Sequence, residues 1–523
     1  MHPIGGGNER MEAARAFETA TDSLRRTLRD GRVAALFLFF ILAMSILETP
    51  RADPDMFARV AVGRLVQRDG GVSHTDPFAY TPKLDRWVDH EWLSGVIFWR
   101  AAEFGGDGWL VLLSLLCMAA ALVAVASAQR RIAPEGAPVR SWLFACLLPL
   151  PWVWRSVIRS QVFTYLLLPV FLFAMADYRN RKDPRILVPL PFLMLFWANA
   201  HGGFVTGLGL LGLFALTSVR DGRRLAAPLW IATAGCVVAT LFTPYGIEFW
   251  RYMAGALTMD RAVITEWGSL IRTPGLALWV GAIAAVWIAG LLRLRFRVPL
   301  EWIVLPSIAL VFAIRSGRLS AAFLMTVAVF GIVPVNALLQ SIGSRLPALP
   351  ETWRRAAAVC AAVAIVPLSL PVARAVLNPG EIELSYQAYP VGALEWLREN
   401  RDGGDVLVGF AEGSYALWRL HPRFLVSIDG RYEEVYPQET VDLVFAALDP
   451  LAEGHHDAFD TVRPDFIVVR TDGPAGSEFG AGWKRIYDDG RFKLFEASSE
   501  REASSALPAS APQSVRPIWD PLF

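Results

Sequence analysis

The chain reads as an α-helical polytopic membrane protein of about eleven transmembrane helices, followed by a water-exposed α/β domain at its C-terminal end. Three observations predict this. Hydrophobic residues make up 54% of the 523, with a mean hydropathy of +0.38, 19 Trp and 31 Phe, more apolar surface than a soluble fold of this length buries. Apolar runs long enough for a helix to cross about 30 Å of hydrocarbon recur as far as residue 377. Beyond that point short apolar runs alternate with helix-like segments, the pattern of a small α/β domain.

The N-terminal segment 1–32 ends in Arg25, Arg26, Arg29 and Arg32 and leads into an apolar run without a small-residue cleavage site, so 33–49 reads as an uncleaved first span. Further spans are predicted at 108–128, 141–155, 161–176, 186–200, 203–219, 227–243, 275–292, 299–314, 319–338 and 356–377. Basic residues orient them. The loops 129–140, 177–185, 219–225, 292–298 and 339–355 carry 16 Lys and Arg in 52 residues; the segments 51–92, 155–160, 199–203, 243–275 and 314–319 carry 13 in 92. The richer set belongs in the cytoplasm with the N-terminus. An odd number of spans then leaves the C-terminal portion outside, in the periplasm of a bacterial inner membrane.

The expected organisation is a cytoplasmic segment 1–32, a transmembrane domain 33–377 with its first periplasmic loop at 51–107, a periplasmic α/β domain 378–498, and a disordered tail 499–523 rich in Ser, Ala and Pro. Within the α/β domain, strands are expected at 406–408, 424–428, 466–469 and 492–495 and helices at 391–399 and 439–448. Gly413-Ser414-Tyr415 and Ile428-Asp429-Gly430-Arg431 read as strand-end loops. All four cysteines fall in apolar runs with no metal-type spacing and read as core fillers. The net charge of +1 and the scattered basic clusters exclude nucleic acid as a partner.

On this topology the unusual polar residues sort to one face. Asp53, Asp55, His74, Asp76, Asp89, His90 and Glu91 lie in the first outer loop; Arg155 and Arg159 with Gln161, Asn199 and His201 with Gly202-Gly203, Tyr245 and Glu266, and Arg315 and Arg318 around Gly317 occupy the later outer turns. Ionisable groups crowded where membrane helices end point to a water-filled site at the membrane surface. Two function classes fit, an enzyme or a transporter. A transporter places ionisable groups near mid-membrane, whereas the second, sixth and eighth spans have none in their centres.

An acidic pair just after span one, an amphipathic stretch following it, many spans and a C-terminal soluble domain on the same side together resemble the GT-C superfamily of membrane glycosyltransferases. More narrowly, Asp53-Pro54-Asp55, His74-Thr75-Asp76-Pro77-Phe78-Ala79-Tyr80, Trp87-Val88-Asp89-His90-Glu91-Trp92-Leu93, Trp197-Ala198-Asn199-Ala200-His201-Gly202-Gly203 and Ile428-Asp429-Gly430-Arg431 resemble a bacterial multi-span family of mostly unassigned activity. In that family the acidic pair is often followed by an aromatic pair and a His, where this chain has Met56-Phe57-Ala58-Arg59. The resemblance implies a polyprenyl-phosphate-linked sugar donor, a glycan, lipid or protein acceptor, and a surround of membrane lipids.

The chemistry follows from residue type. Transfer to a hydroxyl needs a carboxylate to take the acceptor proton, for which Asp55 or Asp53 is the candidate. The departing phosphate needs guanidinium groups, supplied by Arg155, Arg159, Arg315 and Arg318. Asp89, His90, Glu91, His74, Asp76 and His201 are candidates for holding substrate; Asp55, His90 and Glu91 are also a possible ligand set for a divalent cation, Mg or Mn. Structural readings compete at each point: a helix cap for Asp53 and Asp55, an interfacial anchor for His90 and Glu91, snorkelling arginines, a glycine-dependent turn at His201, and a turn with an ion pair at Asp429-Gly430-Arg431. A transporter or flippase of a lipid-linked or polar substrate, or a non-catalytic envelope assembly subunit, remains the alternative.

Overall fold

The computed structural model describes residues 51–133, 158–258, 268–343, 382–473 and 482–498. The segment 1–32, the spans expected at 33–49, 141–155 and 356–377, the tail 499–523, Arg155 and Glu266 lie outside these residues.

The segment expected as the first outer loop opens with a helix, α1 (Pro54–Asp69), whose start is dictated locally: the Asp53 carboxylate accepts from the Asp55 N–H at 3.0 Å, Pro54 sits in the first turn, and Gly70 ends the helix at φ 70°. The following helix, α2 (Trp92–Ile132), is interrupted at Gly105–Gly106, where Gly106 takes φ 64°, so that 92–104 and the apolar stretch 107–132 are separate pieces. Where α1 crosses α2, a Cβ on Gly63 would lie 2.0 Å from the Gly95 carbonyl oxygen and one on Gly95 2.5 Å from that of Arg59. The two backbones touch, and only glycine permits it.

The remaining helices before the C-terminal domain are α3 (Gln161–Arg181), α4 (Leu190–Ala200), α5 (Phe204–Ser218), α6 (Arg223–Ala239), the short α7 (Ile247–Thr258), α8 (Pro274–Arg293), α9 (Glu301–Arg315), and α10 (Ser320–Phe330) with α11 (Ile332–Gly343). Among the described residues four helices are long and apolar enough to cross a bilayer alone, and the α10–α11 pair makes a fifth. The single span expected at 319–338 is bent by 66° at Gly331, three residues before Pro334. The other expected spans in the described residues form shorter helices, of 11 residues in α4, 17 in α6 and 15 in α9.

The C-terminal domain runs α12 (Val391–Asn400), β1 (Gly404–Leu407), α13 (Phe410–Leu420), β2 (Phe424–Val426), α14 (Gln438–Leu448), α15 (His455–Val462), β3 (Phe466–Arg470), β4 (Trp483–Asp488) and β5 (Phe492–Ala497). The sheet order is β2-β1-β3-β5-β4, with β1 parallel to β2 and β3 and the other pairs antiparallel. Gly413-Ser414-Tyr415 is not a strand-end loop but lies inside α13: the apolar spacing of Phe410, Leu417, Trp418 and Leu420 outweighs the glycine. That glycine serves packing, since a Cβ there would meet the Ile428 carbonyl oxygen at 1.9 Å. Strand β4 was not anticipated, because a bulge between Arg485 and Tyr487 breaks its alternation and leaves Lys484 and Arg485 exposed.

The domain is bound to the segment between Asp53 and Trp92. Residues 78–80 extend the sheet beyond β2: the Val426 N–H donates to the Phe78 carbonyl at 2.9 Å and the Tyr80 N–H to the Val426 carbonyl at 3.2 Å. Below them the Arg431 guanidinium is wholly buried between Asp76 at 2.5 Å and Asp429 at 2.7 Å, lying over the rings of Phe78 and Trp87. Helix α13 packs on α1 through Phe57 and Tyr415, and Arg64 lies over Trp418.

Candidate active site

Asp53 and Asp55 begin α1 side by side but in different environments. The Asp53 carboxylate is buried and gripped at both oxygens by Arg159, whose Nε and Nη2 donate at 2.9 and 2.8 Å. Asp55 keeps 38% of its side chain exposed, 3.5 Å from the same Nε. The strand-end loop after β2 arches over it, so that a Cβ on Gly430 would stand 3.5 Å from Asp55 Oδ1. Desolvation lifts the Asp55 carboxyl to about 6, against the pull of Arg159 and with Asp53 adding to the rise. One carboxylate is thus saturated and the other open and poised near neutrality.

Beside this pair lies a second, buried cluster drawn from four parts of the chain. Arg59, on the second turn of α1 and flanked by Met56–Ala58 and Val60–Val62, bonds Asp89 and reaches Glu434 at 3.1 Å and Glu91 at 3.5 Å. His90 Nδ1 stands 3.0 Å from Glu434 and its Nε2 3.5 Å from Glu91. Burial would depress this imidazole, but Glu434 and Glu91 outweigh it and hold His90 up at about 9, a cation at neutral pH. Glu91, despite burial, is drawn down to about 2 by His90, Arg59 and His201 and by the Ser160 hydroxyl, which donates to it at 2.5 Å.

His201 is the opposite case. Burial, with Arg318 and His90 adding to it, pushes its imidazole down to about 3, so it is neutral. Its Nδ1 accepts the Gly203 N–H at 2.8 Å, which leaves the proton on Nε2, facing Glu91 at 3.5 Å. The glycines after it do not supply a left-handed turn, for Gly203 has φ −62°. They make room: a Cβ on Gly203 would strike Thr164 Oγ1 at 2.2 Å, and one on Gly202 would lie 3.1 Å from the His90 ring.

The structure therefore gathers Asp53, Asp55, Asp89, His90, Glu91, Arg159 and His201 at one place, and Arg318 joins them. With its amide oxygen turned toward the guanidinium, Gln161 accepts from Arg318 Nε at 2.9 Å, and Arg318 acts on the charge of Asp55. Asp76 is elsewhere, locked under Arg431. His74 is exposed and packs edge-on to Tyr245, and Arg315 is exposed at the last turn of α9. Neither joins the cluster. Sequence reasoning assigned no role to Arg59, Ser160 or Glu434; a charged residue inside the apolar stretch Met56–Gly63 was the available signal for the first.

Among the described residues, the candidate set Asp55, His90 and Glu91 does not fit a resident divalent cation. Asp53 is satisfied by Arg159, and Glu91 is held by Ser160, Arg59 and two imidazoles, so Asp55 alone offers open oxygens. Among the described residues no three His, Cys, Asp or Glu side chains are arranged to hold a metal.

No protein-family model and no curated protein sequence matches the chain. Solved structures do. The chain is similar to the oligosaccharyltransferase of Archaeoglobus fulgidus in its apo form, with a TM-score of 0.53 at 12% identity over 84% of this chain and 70% of that one. It is also similar to ArnT of Cupriavidus metallidurans bound to undecaprenyl phosphate, with a TM-score of 0.47 at 15% identity over 88% and 96%. The likeness to the oligosaccharyltransferase is one of fold.

Proposed function

We propose that the protein is a membrane glycosyltransferase that moves a sugar from a polyprenyl-phosphate-linked donor to an acceptor hydroxyl at the periplasmic face of a bacterial inner membrane. The carrying observation is Asp55, an open carboxylate beside Arg159 and in the field of Arg318 that desolvation lifts to about 6. The fold shared with an oligosaccharyltransferase supports glycosyl transfer over transport. The acceptor is a hydroxyl of a glycan, lipid or protein.

In the reaction, Asp55 takes the proton of the acceptor hydroxyl as its oxygen attacks the anomeric carbon. The bond from that carbon to the phosphate oxygen breaks, and its electron pair leaves on the lipid phosphate. Arg159 and Arg318, both acting on Asp55, stabilise that growing charge. About eleven spans, a cytoplasmic N-terminus and a periplasmic C-terminal domain complete the reading. The basic loops support this orientation, and the pairing of residues 78–80 with β2 supports putting the first loop and the domain on the same side.

Mass spectrometry of periplasmic glycans and glycolipids from a deletion strain tests the proposal. A saccharide missing from the deletion strain should return with the wild-type chain and stay missing with Asp55→Asn. An unchanged set of glycans and glycolipids in the deletion strain refutes it.

A further inference from the structure

We propose that Glu434, carried by the C-terminal domain, is a positioning residue for the transfer reaction: by engaging Nδ1 of His90 it turns Nε2 onto Glu91 and so ties the seating of the domain to the charge at the reaction centre. This rests on the glycosyl-transfer reading above. Both ring nitrogens of His90 face carboxylates, Glu434 at 3.0 Å and Glu91 at 3.5 Å, and a neutral imidazole has only one N–H to give. The bridge is complete only while His90 is doubly protonated.

The surroundings fix the ring. Tyr252 of α7 packs on it with centroids 5.3 Å apart, and on another side a Cβ on Gly202 would stand 3.1 Å from the ring. The charged and titratable groups facing His90 are Glu434 from the turn after β2, Arg59 from α1, His201 from the end of α4, and its own neighbours Asp89 and Glu91. Arg59 and His201 are shared with Glu91, and Arg59 with Asp89. Among the described residues, Glu434 is the one carboxylate of the cluster that comes from the C-terminal domain. Its buried charge is set between Arg59 and His90, so withdrawing it leaves two cations facing each other across the gap. Glu91 in turn raises the pKa of Asp55, which completes the chain from domain to base.

The test is Glu434→Gln, equal in size but uncharged. In the wild type the alkaline fall of kcat should come near pH 9, as His90 loses its second proton; in the variant it should move down by about one to two pH units. A residue that only held the fold would lower kcat at every pH and leave the limb in place. Independently, the full chain labelled with ¹⁵N-histidine, its His90 signal identified by loss in His90→Asn, should show His90 charged up to about pH 9. A wild-type His90 titrating at or below the ordinary 6.5 overturns the proposal even where Glu434→Gln fails to fold. Transfer with an unmoved alkaline limb in a folded variant overturns the proposal alone. Absence of transfer in the wild type overturns the functional reading and takes the proposal with it.

Discussion

The acid limb of the transfer reaction is the most direct reporter of Asp55. A general base must be ionised, and a carboxyl with a pKa of about 6 is about nine-tenths ionised at pH 7 and about one-tenth at pH 5. The rate should therefore fall about tenfold between those values. An unperturbed aspartate would lose less than about a tenth of its activity over the same interval. The structure also says how the limb moves. Arg159 is the strongest influence lowering this pKa, so Arg159→Gln should shift the limb to higher pH, and Asp53→Asn, although it keeps the helix cap, should disturb it by releasing Arg159. Asp55→Asn should remove the limb and cost 10²- to 10⁴-fold in kcat/KM, about 2.7–5.5 kcal/mol of transition-state stabilisation. The assay is product formation from a polyprenyl-phosphate sugar in detergent from pH 4.5 to 8, with kcat/KM read at each pH. A profile that stays flat down to pH 5, or activity retained by Asp55→Asn, would refute the assignment.

Three further outcomes are expected. Gly63→Ala should lower yield and thermal stability by about 3 kcal/mol, because its methyl would fall 2.0 Å from the backbone of Gly95 and force the helices apart; size-exclusion profiles and Tm check it. Arg431→Leu should destabilise the docked domain by about 3–5 kcal/mol, since Asp76 and Asp429 would remain buried without their cation, and limited proteolysis of the C-terminal domain reads this. Reporter fusions after Arg185 and after residue 378 should read cytoplasmic and periplasmic; the reverse pattern sinks the topology.

The sequence announced the acids and most of the basic residues because charge next to apolar runs is conspicuous in one dimension. What it concealed were pairings between distant segments. Asp76 and Asp89 look like site residues in the loop, yet one closes on Arg431 and the other on Arg59, and nothing local distinguishes them from Asp55. Glu434 sits in the polar run Arg431-Tyr432-Glu433-Glu434, where only the fold of the C-terminal domain selects it to meet His90. His201 was legible as a site residue, but the role of its glycines was not, because clearance from Thr164 and His90 depends on three helices converging. The C-terminal strands were visible where runs were apolar and lost at β4, where the bulge disrupts the period.

The strand pairing between residues 78–80 and β2 has a consequence for biogenesis. Thr81 donates to a carbonyl 346 residues further along, that of Ser427, so the outer loop leaves the ribosome long before its sheet partner exists. Through most of synthesis Phe78 and Tyr80 present unpaired backbone groups, Asp76 lacks its guanidinium, and Asp55 lacks the loop that covers it. The nascent chain can already pair Asp53 with Arg159 and Glu91 with Ser160, but it lacks Glu434 beside Arg59 and His90 and the loop over Asp55. On the glycosyl-transfer reading, activity should be withheld until β2 and the turn carrying Glu434 have been made and have folded back onto residues 51–92.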